Sequence, residues 1–174
     1  MTTVKELKDH KPLSSRKRHG RAINAIADLL RVKLSVPNIY LEPHLSAASR
    51  VDVFAADRAG SGDIHAVEIK IPDSFVSSPS KIQTYIRQVK EFPAHFKYIA
   101  LPKNEATTKL VNNPLLFSDN GIGRVGVILL TEHDEAPPEA ELLVRPERFR
   151  LDSSAIQRID RFLAKQQPDM AVRI

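Results

Sequence analysis

Apolar positions along this chain change their period several times, and each change marks an element. Ile23, Ile26, Ala27, Leu30 and Leu34 fall at i, i+3, i+4, i+7 and i+11, one face of an amphipathic helix. Arg21, Asn24, Asp28 and Arg31 take its other side, and Ser14 or Ser15 stands where a cap is needed. Pro37 and Asn38 break the pattern. Asn38 to Glu42 then predicts a strand that Pro43 ends, followed by a small-residue turn at Ser46 to Ser49. Two β-rich runs come next, Arg50 to Phe54 and Ile64 to Ile71, around a polar turn holding Gly60 and Gly62, which is a hairpin signal.

Residues 71–80 carry two prolines and four serines and predict a loop. Ser80 opens a helix that buries Ile82, Tyr85, Ile86 and Val89 and stops at Pro93. Lys97 to Leu101 and Val125 to Leu130 are apolar strands without alternation, the pattern of strands covered on both faces. A short helix falls around Ala106 to Val111. Asp152 to Ser154 caps a last helix with Ile156, Ile159, Phe162 and Leu163 on its apolar side. The resulting expectation is an α/β fold: a mixed central sheet of about five strands flanked by helices, in the order α-β-β-β-α-β-(α)-β-α.

With 174 residues the chain predicts one domain over 15–174, behind a basic, flexible arm at 1–14. The absence of cysteine excludes disulfides and thiolate metal sites. No apolar run approaches the roughly 20 residues of a membrane span. The basic N-terminus lacks the apolar segment of a secretory signal. A soluble cytoplasmic protein with no membrane contact is therefore expected. The net charge of +5 is unevenly placed, because residues 1–33 alone carry a net of +6. A basic arm and first helix can track a phosphate backbone, or form a solvated face.

The central hairpin changes the picture most. A turn centred on Gly60 makes paired residue numbers sum to 120, which sets Asp52 opposite Glu68 and Arg50 opposite Lys70. Asp52, Glu68 and Lys70 then share one face, and Val51, Val53, Val67, Ile69 and Ile71 the other. A one-residue slip would separate the two carboxylates. Like charges face to face weaken a ladder, and two close carboxylates resist joint ionisation unless a cation lies between them. Lys70 is one such cation, and a divalent metal is another. Carboxylates with open water positions suit Mg²⁺ or Mn²⁺.

At these residues the chain resembles the PD-(D/E)XK nuclease superfamily, whose signature is an Asp on one strand and Glu-x-Lys on the next. Here the match is Asp52, then Glu68-Ile69-Lys70, within an α-β-β-β-α-β order over roughly residues 16 to 130. More loosely, Arg-x-Asp-Val followed by Val-Glu-Ile-Lys is similar to small MmcB-type DNA-repair proteins. Val51 stands where the motif has proline, and only Asp28 could supply the first-helix acid of many members.

The resemblance implies a restriction-endonuclease-like core and a Mg²⁺- or Mn²⁺-dependent nuclease acting on DNA in repair, recombination or defence. Asp52, Glu68 and the Ile69 carbonyl would hold the metal. Catalysis would fall to Asp52, Glu68 and Lys70, with Lys70 positioning the attacking water. Gln83 and Arg87 resemble positions that later helices of the family bring toward the site. With Arg21 and Lys81 they are the candidate DNA contacts. Homodimerisation is common in the family, though no residue here marks an interface.

Other signals compete less well. Gly121-Ile-Gly-Arg-Val-Gly126 spells GxGxxG, but a loop precedes it and a strand follows, so no nucleotide cofactor is expected. Residues 131–141 hold five acids and no Lys or Arg, an acidic loop expected to lie away from any DNA groove. His44 beside the hairpin and His133 among these acids read first as solvated loop residues. Two other readings stand beside the nuclease. One is a binding module of the same fold with a weak site, working inside a larger complex. The other is a structural α/β domain whose triplet is an ion network.

Overall fold

The structure is a computed structural model that describes residues 14–41, 44–46, 49–56, 62–72, 75, 78–113, 124–134 and 136–165; of residues 41–50 only the backbone is described. The polar turn at 57–61, the arm at 1–13, Gly121 and Gly123 lie outside the described residues. Helix α1 (Ser15–Asp28) starts at Ser14, whose side chain accepts from the Lys17 N–H. It runs on through a π-helical turn, Leu29–Lys33. Ser35 ends it at φ 56°, in the left-handed region, while the Val36 N–H returns to the Leu30 carbonyl.

The strands are β1 (Asn38–Leu41), β2 (His44–Ser46), β3 (Ser49–Arg50), β4 (Val53–Ala56), β5 (Ile64–Ile69), β6 (Phe96–Pro102), β7 (Gly126–Thr131) and β8 (Glu139–Val144). Helices α2 (Pro79–Glu91), α3 (Glu105–Val111) and α4 (Ser153–Lys165) complete the described elements. The fold is α/β. Six strands form one mixed sheet in the order β1-β4-β5-β6-β7-β8, and β2 and β3 pair separately. β5, β6 and β7 are parallel, so their carboxyl ends share one edge; β1, β4 and β8 join antiparallel.

The sheet therefore has one main strand more than expected, β8, and the small β2–β3 pair flanks the turn predicted at Ser46 to Ser49; Arg50 pairs there with His44 and not opposite Lys70 as expected, because the chain bends at Asp52. The acidic run hid β8: Glu139 and Glu141 alternate with half-buried Ala140 and Leu142, the mark of an edge strand with one wet face. Helix α2 is capped by Ser78, with Pro79 at its first turn, two residues before the predicted Ser80. Among the described residues no helix is long and apolar enough to cross a membrane.

Two cores sandwich the sheet. On one face α1 lays Ala22, Ile23, Ile26, Ala27 and Leu30 over Ile39, Val53, Val67 and Ile69. On the other, α2 and α4 cover Phe54, Ala66 and Ile99. Phe54 links the two helices there, its ring 5.7 Å from Phe92 and 5.6 Å from Phe162. Val51 belongs to this second core and not, as the alternation predicts, to the face of Val53, because the chain bends at Asp52 before β4 begins.

After β8 the chain crosses the sheet's other edge, where the parallel strands start. Arg148 donates twice to Asp63 Oδ1, at 3.0 and 2.9 Å, and the Phe149 N–H donates to the His95 carbonyl at 2.8 Å. This belt, residues 145–150, carries the chain round to α4. Buried Lys97 sits above it, donating to the Lys90 carbonyl, with its ammonium 4.6 Å from the Phe149 ring centre. Burial first, then the Lys90 charge, lowers the Lys97 pKa from 10.5 to about 8.

Two outcomes follow from these contacts. A Cβ at Gly126 would lie 2.7 Å from Tyr98 Cδ1 and 2.9 Å from Pro146 Cδ, so Gly126→Ala should cost about 1–3 kcal/mol in urea denaturation. Between pH 8 and 10.5 the unfolded chain binds a proton at Lys97 that the folded protein does not hold. Stability contributed by this group therefore rises with pH across that window and falls away as pH drops through 8. Relative to wild type, Lys97→Met should remove that upward slope in denaturation series at stepped pH.

Candidate active site

The β4–β5 register decides whether the carboxylates meet. Val53 pairs with Val67, Phe54 with Ala66, Ala55 with His65 and Ala56 with Ile64, so every pair sums to 120 as the sequence predicts. Asp52 lies one residue before β4, on the bend. Its N–H donates to the Val67 carbonyl at 3.1 Å, and its Oδ2 accepts from the Ile69 N–H at 2.6 Å. The carboxylate thus completes the ladder where the strand itself has stopped, which fixes its direction without a rotamer search.

Glu68 and Lys70 project from the end of β5 on the α2–α4 face. Lys70 Nζ donates to Glu68 Oε1 at 2.7 Å, and both side chains are only 15% exposed. The ammonium also stands 4.9 Å from the centre of the Tyr85 ring on α2. That aromatic face holds the cation while leaving its other hydrogens free to donate. The Lys70 N–H is bonded to the Ala100 carbonyl of β6. The triplet therefore sits at the carboxyl edge of the parallel strands, where α/β sheets place their ligand crevices.

Burial raises the Glu68 pKa above its ordinary value, and the neighbouring Asp52 charge raises it further; Lys70 and His19 pull the other way. Two carboxylates are thus held close enough to oppose each other's charge in a half-dry site. That donor set fits a hard divalent cation, which takes one or two carboxylates and keeps its waters. Asp52, Glu68 and the Ile69 backbone are its candidate holders; the Ile69 side chain is buried in the α1 core. Among the described residues no group of three or more His, Asp or Glu side chains converges as a metal site.

His19 is a site neighbour that the sequence reading missed. Its Nε2 lies 3.3 Å from Asp52 Oδ1. The signal was present, since His19 is four residues before Ile23 and so extends the buried stripe of α1 by one turn. Tyr85 was read as core alone; its ring is core and its face serves Lys70. Asp28 is exposed and stands two to three turns beyond His19 along the helix, with no contact to the triplet. The His44 side chain lies outside the described residues.

The candidate DNA contacts separate. Lys81, Gln83 and Arg87 are exposed on α2, the helix that carries Tyr85. Arg21 donates to the His133 carbonyl at 3.2 Å and to the Ala136 carbonyl, so its guanidinium holds α1 to the turn between β7 and β8. That turn holds Glu132 and Asp134 and leaves the carboxyl end of β7. The acidic segment expected to lie remote from the site is thus on the same sheet edge, two strands across. His133 there approaches Glu139, at 3.7 Å, and not the triplet.

No protein-family model matches the chain, and no curated protein does. Among solved structures one similar chain is SPO1766, a protein of unknown function from Silicibacter pomeroyi. The two are 18% identical, with a TM-score of 0.47 over 88% of this chain and 87% of that one.

The site's electrostatics are open to titration. Removing the like charge, in Asp52→Asn, should move the Glu68 carboxyl pKa downward, and Lys70→Ala should move it further up. Carboxyl ¹³C shifts followed against pH check both directions. The sign for stability follows: a Glu68 pKa raised above 4.5 means that stability from this group is present in acid and declines as pH rises past the folded value. Added Mg²⁺ or Mn²⁺ should offset that decline and raise the melting temperature at pH 7.5 but not at pH 4.5.

Proposed function

We propose that this protein is a metal-dependent nuclease that hydrolyses DNA phosphodiester bonds, of the PD-(D/E)XK type. The observation that carries the reading is the Asp52 carboxylate held by the Ile69 N–H, close enough for its charge to act on Glu68, with the Lys70 ammonium bonded to Glu68. DNA as the substrate comes from the resemblance of Asp52 and Glu68-x-Lys70 to that superfamily, and an intracellular location goes with it.

Bound Mg²⁺ would supply Lewis acidity at the phosphoryl oxygen and a more acidic water. The chain's own residues do the rest. The Ile69 N–H fixes the Asp52 carboxylate, which with Glu68 would hold the cation. Lys70, resting on Tyr85, can leave Glu68 to orient the attacking water and to balance charge on the phosphate. In-line attack on a phosphodiester asks mainly for such positioning and neutralisation. All three side chains come from one chain, so cutting one strand requires no second copy; a double-strand break would engage a homodimer.

A second reading has its own support. The direct Lys70–Glu68 ion pair and the lack, among the described residues, of a third converging ligand also suit a binding module whose site is closed by internal pairing.

Cleavage separates the two. Plasmid, linear, single-stranded and branched DNA would be incubated with the protein in Mg²⁺ or Mn²⁺. The nuclease reading expects cutting that EDTA abolishes and that Lys70→Ala or Asp52→Asn lowers at least about 100-fold, a loss typical of removing one charge-stabilising group. DNA bound by wild type but left uncut on every substrate would overturn it in favour of the binding module.

A further inference from the structure

The last helix carries a feature that the triplet does not use. Arg158, Arg161 and Lys165 stand at i, i+3 and i+7 on α4, all exposed, in one stripe about 10 Å long. Among the described residues none of the three makes an ion pair or hydrogen bond. Three cations on one flank with no partner among the described residues repel one another, which favours an anion brought to them. Among the described residues the nearby acids are committed or turned away. Asp152 accepts from the Ala155 N–H as the helix cap, Glu147 accepts from the Arg124 N–H, and Asp160 projects from another side of the helix.

The position of α4 gives the stripe a direction. The helix begins beside the belt at the amino ends of the parallel strands. Its Phe162 packs on Tyr40 and Phe54, 5.8 and 5.6 Å between ring centres, so it lies over β1 and β4. The helix also contacts β2, which follows the end of β1 next to Asp52. The stripe therefore climbs toward the sheet edge that holds the triplet, on the same face as Glu68 and Lys70. Parallel crossovers are right-handed, and that hand stands α2 on the flank of α4 where the stripe lies.

The acidic turn of Glu132 and Asp134 is fastened to α1, the helix on the opposite face, while α1 itself carries exposed Arg16 and Lys17 within a turn of His19. A polyanion nearing that sheet edge is repelled at the acidic turn, and the α4 stripe adds positive charge on the α2–α4 face to that which α1 brings.

We infer that the Arg158–Arg161–Lys165 stripe on α4 is a docking track for the phosphate backbone of nucleic acid, leading to the Asp52/Glu68/Lys70 edge. The inference rests on the nucleic-acid part of the proposed function and not on cleavage. Two guanidiniums and one ammonium at this spacing meet successive phosphates of one strand, with no demand on base sequence.

The test measures binding apart from cutting. A fluorescein-labelled 30-base-pair duplex would be titrated in EDTA at stepped NaCl, with fluorescence anisotropy as the readout. The proteins would be wild type, Arg158→Gln/Arg161→Gln/Lys165→Gln, and the charge-keeping Arg158→Lys/Arg161→Lys. Glutamine keeps helix propensity, and circular dichroism confirms that each variant is folded. The glutamine triple should weaken binding at least about tenfold and reduce the slope of log K against log salt by about 2–3, since each neutralised phosphate contributes roughly 0.9. The lysine variant should keep the wild-type slope. Equal affinity and slope in wild type and the glutamine triple would overturn the track. So would a triple that loses only its binding to phosphatidylglycerol vesicles, which would assign the stripe to a membrane surface. A stripe-dependent affinity in a protein that cuts no DNA leaves the track standing and removes the nuclease reading; cutting with a stripe-independent affinity does the reverse.

Discussion

One hydrogen bond organises the region on which every functional statement rests: the Ile69 N–H donating to Asp52 Oδ2. It ties the last residue before β4 to the last residue of β5, where backbone pairing has already given out. Without it Asp52 would belong to a loop, free to leave the edge. With it, a carboxylate becomes part of the sheet and is held beside Glu68 in a setting dry enough that the second carboxyl resists ionisation. Keeping both carboxylates charged there is costly for stability, and the Lys70 ammonium on Glu68 offsets part of that cost.

The hairpin was the most legible part of the chain, and for a physical reason. Centring the polar turn on Gly60 makes paired numbers sum to 120, and the four pairs of β4 and β5 keep that sum. Both faces of these strands are buried, so the turn and not the burial pattern made the register readable. The helices of both faces were readable from their apolar spacing, down to the asparate cap of α4 and the serine cap of α1.

What stayed hidden lies where local pattern and tertiary position part. β8 looks like an acidic loop because an edge strand needs only every second residue to be apolar. Arg21 and the acidic turn have no sequence proximity, yet β7 delivers that turn to the first helix. His19 joins the triplet across the hairpin from another element. Val51 changes face because the chain bends at Asp52, and strand periodicity carries no information past a bend. The stripe on α4 was visible as spacing, but only the belt across the sheet's lower edge shows which end of it nears the site.

That belt also sets a timetable for synthesis. Tyr40 and Phe54 pair across β1 and β4, yet the ring that covers them, Phe162, is made more than a hundred residues later. Until the chain has passed the Arg148–Asp63 contact and α4 has emerged, one face of the growing sheet stands bare over β1 and β4. A nascent chain of this fold exposes that apolar face until α4 emerges, so chaperone demand and misassembly concentrate in that interval. Translation speed between β4 and α4 is then a determinant of how much of the protein reaches its final shape.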